Sequence, residues 1–174
     1  MDRQIELLFE QLSARDVTQR RQAIELMSQR DENLKLWTAK LVRAAGNSDD
    51  QVRAWAADTL ETLGTPHPND LSELIQELDK GVDSQSADGE VLYWAATLIG
   101  RLGPAAFRAT DSLIHVVEHS QYLPARERAV WALGRIGPRA KQAAGILRQV
   151  ATKGPPRLRR LAAEAIESLR GMAA

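Results

Sequence analysis

His115, Glu118 and His119 form a His-x-x-Glu-His string, the first place in the chain where residue types and spacing suggest chemistry. Histidines four residues apart share one face of a helix and can reach one metal ion, and the same string holds zinc in inverted-motif proteases. The neighbours argue against that use. Leu113, Ile114, Val116 and Val117 are the apolar residues of the stretch, so His115 and His119 point away from a core. A catalytic metal also needs a third ligand and a walled pocket. The downstream acids Glu127, Glu164 and Glu167 fall on other helices. The chain has no cysteine, which removes disulfides, thiolate zinc sites, iron–sulfur clusters and thiol catalysis. Nucleophile elbows, phosphate loops and dinucleotide fingerprints are absent. We therefore expect no catalytic residue, no metal and no cofactor, and a protein that is not an enzyme.

The elements that carry these residues repeat. Val52-Arg53-Ala54-Trp55-Ala56-Ala57 through Leu63-Gly64 aligns without a gap on Val91-Leu92-Tyr93-Trp94-Ala95-Ala96 through Leu102-Gly103. The pattern returns from Ala125 to Gly137 and from Leu158 to Leu169, with a weaker copy from Gln19 to Met27. Each copy has apolar residues at helical spacing and small residues in its middle. A second segment type precedes each copy, marked by Leu8-Phe9, Leu41-Val42, Leu74-Ile75, Leu113-Ile114 and Ile146-Leu147. Registering Leu41, Leu74, Leu113 and Leu147 gives steps of 33, 39 and 34 residues. The long step is a polar, breaker-rich insertion over 80–89.

The unit is thus helix A, turn, helix B, about five times, in a single domain over 1–174. The repeats are approximately 1–30, 31–64, 65–103, 104–137 and 138–174. Pro66, Pro68, Pro104 and Pro138 are placed to open A helices, where a missing N–H costs little. Gly64, Gly103 and Gly137 are placed to close B helices. Ser48 with Gln51 fits a capping box. No window alternates as a strand does, so the fold class is an all-α solenoid.

The B-helix pattern, Val-Arg-x-x-Ala-Ala-x-x-Leu-Gly-x-Leu-Gly, resembles the bacterial HEAT-like repeats, the kind also found in phycobilin lyases. The resemblance implies a right-handed α-solenoid whose B helices line the concave surface. It also implies a ladder in which an Asp and an Arg of neighbouring repeats pair. The Arg positions are Arg20, Arg53, Arg126 and Arg159. The Asp positions are Asp16, Asp49 (or Asp50) and Asp88. Leu92 replaces the third Arg, while Tyr122 and Pro155 replace the later Asp residues. The interrupted ladder makes Arg126 and Arg159, with Arg128, candidate anion-binding residues beside a purely structural role.

Helix geometry puts Val52, Ala56, Thr59, Leu60 and Leu63 on the buried stripe of one B helix, with positions 54, 58 and 61 opposite it. The outward trios include Ala54, Asp58 and Glu61; Tyr93, Thr97 and Gly100; Glu127, Trp131 and Gly134; and Arg160, Glu164 and Glu167. Most of this surface is polar. Tyr93 and Trp131 are the exceptions, with Gly100 and Gly134 expected to leave backbone exposed beside them. Large aromatics on a polar face suit a binding hot spot. The alternative is that the curvature of the array buries them between B helices. The candidate partner-binding residues are Tyr93, Trp131, Glu127, Arg160, Asp58 and Glu61. Trp55, Trp94 and Trp37 read as packing, and Phe107 as an apolar A-helix position.

The chain has 23 Lys+Arg and 23 Asp+Glu, which excludes a uniformly basic protein. The balance is a cancellation. Residues 1–87 hold 10 basic and 16 acidic side chains, and residues 88–174 hold 13 and 7. The stretch 121–174 alone has 11 basic and 3 acidic residues. The expected function is a non-catalytic scaffold that holds a protein partner on the concave B-helix surface. The alternatives are a nucleic-acid binder using 121–174 and a lyase-like accessory protein. The polar start and the lack of a long apolar run point to a cytoplasmic protein without a membrane partner. Oligomeric state is open.

Overall fold

A computed structural model of the chain describes residues 3–29, 37–83 and 89–171. These residues form α-helices joined by short turns and 3₁₀ segments, with no strand among them. The chain divides into two compact units, Met1–Gly64 and Thr65–Ala174. The expected insertion over 80–89 lies partly outside the described residues.

The first unit contains α1 (Arg3–Gln11), α2 (Val17–Ser28), α3 (Thr38–Ala45) and α4 (Asp50–Thr62). Helices α1 and α2 pair, α3 and α4 pair, and the B helices α2 and α4 pack on each other. Ile5, Leu8, Leu12, Leu41, Val42, Val52, Ala56 and Leu60 belong to the core, all under a tenth exposed. The Phe9 ring lies 5.8 Å from Trp37 and 6.4 Å from Trp55, so both tryptophans pack as their sequence positions imply. The start of α4 differs from expectation. Asp49, not Ser48, caps the helix, accepting hydrogen bonds from the amides of Gln51 at 2.9 Å and Val52 at 3.2 Å. A carboxylate satisfies two orphan amides and also suits the positive helix end. Asp16 caps α2 in the same way through the Thr18 amide.

The second unit contains α5 (Leu71–Asp83), α6 (Gly89–Leu102), α7 (Thr110–His119), α8 (Leu123–Ile136), α9 (Ala144–Lys153) and α10 (Pro156–Leu169). Within each repeat α5 packs on α6, α7 on α8 and α9 on α10. Between repeats the A helices α5, α7 and α9 stack on one side, and the B helices α6, α8 and α10 on the other. This is the all-α solenoid pattern. Leu74, Leu92, Leu98, Ile99, Leu113, Leu133, Ile136, Leu147 and Leu158 are almost fully buried. Each such side chain stabilises the unit by roughly 1.5–3 kcal/mol before the entropic cost of ordering it. Trp94 is buried with them at 5% exposure.

Pro104 and Pro138 do not open the A helices directly. They open seven-residue 3₁₀ segments, Gly103–Ala109 and Gly137–Ala143, which bend at Ala106 and Ala140 before α7 and α9 begin. Both bend alanines are fully buried, so a small side chain lets each segment dock closely. The bend turns Phe107 outward to 39% exposure, with the Arg139 guanidinium stacked 3.4 Å above its ring. Glycine ends α8 for a steric reason. Gly137 has φ 69° and ψ −140°, a combination that a β-carbon makes costly.

Candidate functional site

The outward face of the second unit's B helices is more closely packed than helix periodicity implies. Gly100 does not leave backbone open. The Trp131 indole lies against it, and a β-carbon at Gly100 would sit 2.2 Å from Trp131 Cζ3. Gly134 is likewise met by α10, with the Ala165 Cα and Cβ both 3.2 Å from where a β-carbon would stand. Thr97 is 3% exposed and donates to the Tyr93 carbonyl at 2.7 Å. The glycines therefore let successive B helices approach closely, and Thr97, Gly100 and Gly134 belong to that seam. Trp131 is half-buried: one side of its ring is spent on Gly100 and the rest faces outward.

Tyr93 is also half-buried, and its environment is set by Arg128 one helix away. Arg128 Nη2 donates to the Tyr93 hydroxyl at 2.8 Å. Its guanidinium carbon lies 5.0 Å from the Tyr93 ring centre and 5.6 Å from that of Trp131. Such cation–π contacts are worth about 0.5–1 kcal/mol each where water still reaches them. They fix a planar cation between the two aromatics. Glu127 is held by Arg157 of α10 at 3.2 Å.

Two clefts meet at this cluster. One, of about 210 Å³, is lined by Tyr93, Pro124, Arg128 and Arg157. The other, of about 500 Å³, is lined by Pro104, Arg135, Glu164 and Ser168. Trp131 and Leu161 line both. The clefts thus follow one another along the seam between α8 and α10, with the indole and the leucine at their junction. Arg160 pairs with Glu164 at 3.7 Å on the exposed side of α10. Asp58 and Glu61 are exposed on α4, in the first unit, and are not part of this groove.

Tyr93, Trp131 and Glu127 line one cleft. Arg128, named from the sequence as a candidate anion-binding residue, instead joins the two aromatics to each other, and Leu161, Arg157 and Pro124 complete the lining. Arg128 and Trp131 are three residues apart on one helix, a spacing that signals a shared face. Leu161 gave no signal, because its position reads as ordinary helix surface.

The Asp–Arg ladder is only partly built. Arg20 donates to Asp49 Oδ2 from Nε at 2.9 Å and pairs with it through Nη2 at 2.7 Å. That Arg20 hydrogen bond holds the Asp49 carboxyl below its usual range, against the smaller opposing effect of burial. Arg53 pairs instead with Asp50 on its own helix and donates to the Asn47 carbonyl at 2.7 Å. Asp88 lies outside the described residues. Tyr122 fills its rung differently: its ring covers Gly89, and its hydroxyl is hydrogen-bonded to Glu90 at 2.5 Å. Arg126 donates to the Val117 carbonyl at 3.0 Å, and Arg159 is exposed on α10. The rings of His115 and His119 lie 4.5 Å apart, with Glu118 3.9 Å from His119 Nε2. Among the described residues no three metal-capable side chains come together, and no helix is long and apolar enough to cross a membrane.

A family model of HEAT repeats matches residues 71–167. No curated protein matches the chain. Among solved structures, a designed armadillo repeat protein in complex with the peptide (KR)4 is similar at 12% identity and a TM-score of 0.44. That similarity covers 95% of this chain and 99% of the designed one.

Proposed function

We propose, for a chain that belongs to the HEAT-repeat family, a scaffold that holds a segment of a partner protein along the B-helix groove of its second unit. The observation that carries this reading is the placement of Trp131. Its indole is anchored on Gly100, lines both clefts of the α8–α10 seam, and still offers part of its surface to solvent. A rigid aromatic that has already lost its rotamer freedom binds at low entropic cost. Tyr93 and Leu161 extend the apolar floor and Arg128 holds the two aromatic rings in place, while Glu127, Arg157, Glu164 and Arg160 form a paired, polar rim. An apolar centre with a charged rim is the anatomy of a protein interface.

The groove acts by holding and not by chemistry. Its carboxylates are matched to guanidiniums, Glu127 to Arg157 and Glu164 to Arg160. Within the groove the basic side chains are engaged inside the protein, Arg128 with Tyr93 and Arg157 with Glu127. An aromatic floor with paired charges favours a protein partner there over a phosphate backbone, which needs several free cations at once.

The test is capture from a cell extract by the tagged protein and by its Tyr93→Ala and Trp131→Ala variants. At matched helicity, a companion protein retained by the parent is lost from both variants. Equal retention by parent and variants contradicts the reading.

A further inference from the structure

The ladder rung between the last two repeats is half-built, and the half that is present is cationic. Arg126 occupies the sequence position that Arg20 occupies in the first repeat, and Pro155 the position of Asp49. In the first unit the Asp49 carboxylate joins two sets of donors. Oδ2 accepts from Arg20, and Oδ1 accepts from the amides of Gln51 and Val52. Arg20 also donates from Nη1 to the Ala14 carbonyl at 2.6 Å. Arg126 is also tied to a backbone carbonyl, though through Nε to Val117, nine residues back, and it has no carboxylate partner among the described residues. Pro155 brings no acceptor, and α10 has no side-chain cap.

The place is not filled from elsewhere. Arg126 and Pro155 border a cleft of about 500 Å³, together with Val117, Glu118, His119 and Lys153. Arg126 and Lys153 supply two positive charges against the one carboxylate of Glu118, which lies 3.9 Å from His119. Arg126 is only partly exposed, and its guanidinium is aimed by the Val117 bond. A partly buried, oriented guanidinium in one cleft with a second cation favours an anion.

We propose that this cleft takes the side-chain carboxylate of an acidic protein segment, which completes from outside the rung that Asp49 completes from within. The choice of a carboxylate follows from the filled rung, where that group bridges an arginine of one repeat and the first free amides of the next B helix. The site is separate from the α8–α10 groove and stands without it.

The test uses the whole ¹⁵N-labelled protein, titrated at low salt with a capped peptide of alternating aspartate and glycine and, in parallel, with inorganic phosphate. The peptide shifts the Arg157 and Leu158 amides in a saturable way. Those shifts are lost in Arg126→Gln, which removes the cation. They are also lost in Pro155→Asp, which supplies the carboxylate internally and raises the melting temperature more when Arg126 is present than in Arg126→Gln, where only the helix cap is gained. Should Arg126→Gln fail to fold, Pro155→Asp decides alone. The absence of a localised shift, or a shift that survives Pro155→Asp, overturns the proposal. Saturation by phosphate without saturation by the peptide overturns the assignment to a protein carboxylate.

Discussion

The Trp131 indole rests on the backbone of Gly100, with no room between them for a β-carbon. One contact thus joins α6 to α8 and fixes the ring that lines both clefts of the candidate groove. Gly100→Ala forces the indole or the helix to move, since the nearest atom belongs to a rigid ring. Overpacking of this kind costs about 1–3 kcal/mol. The variant is expected to melt several degrees lower, with altered Trp131 fluorescence in a protein whose other tryptophans are replaced by phenylalanine. An unchanged melting temperature and spectrum would show that the seam is looser than described.

A second prediction concerns acid. Asp49 is held below its usual range chiefly by Arg20. A depressed carboxyl stabilises the fold above its unfolded pKa, near 3.9, and that contribution disappears as pH falls through the lower folded value. The parent should therefore lose stability on acidification below about pH 4 more steeply than Asp49→Asn or Arg20→Gln. Denaturant midpoints measured between neutral pH and the acid limit check this. Parallel curves for parent and variants would remove the pair from the account.

Gly137 offers a backbone test. With φ 69° and ψ −140°, alanine there is strained although the space is open, the nearest atom to a β-carbon being the Ser168 carbonyl oxygen at 3.8 Å. Gly137→Ala is expected to cost roughly 1–3 kcal/mol. Gly145→Ala is the control, because nothing stands within 4 Å of a β-carbon there and its backbone is ordinary helix. It should be neutral or slightly stabilising. Equal effects at the two sites in thermal unfolding would contradict the steric argument.

The histidine pair gives a prediction of a different kind. His115 and His119 present two nitrogens on one helix face without a third ligand among the described residues. Zinc at micromolar concentration should leave the melting temperature within about a degree, since two ligands leave the ion mostly hydrated. A rise of several degrees would restore the metal reading.

Much of the architecture was legible because repetition states the same pattern several times. The A and B helices, and the stacking of like on like, follow from apolar spacing and recurrent Leu-Gly endings. The 3₁₀ segments after Gly103 and Gly137 were not legible. Proline fixes where a helical turn starts but does not distinguish a 3₁₀ turn from an α turn. Gly100 and Gly134 were misread for a related reason. Helix periodicity places them on the outer face, but only the packing of neighbouring repeats shows that this face meets the next B helix. The ladder was legible where Asp49 and Arg20 both stand, and its Tyr122 substitute was not, because no charge pattern announces a tyrosine on a glycine.

The measurement closest to the central claim is site-specific photo-crosslinking inside cells. A photoreactive amino acid at Leu161, which lines both clefts, is compared with one at Thr152, exposed on α9. The account predicts a protein adduct from position 161 that disappears when Trp131→Ala is added, and none from position 152. An adduct from 152 alone, or one from 161 that is indifferent to Trp131, would contradict it.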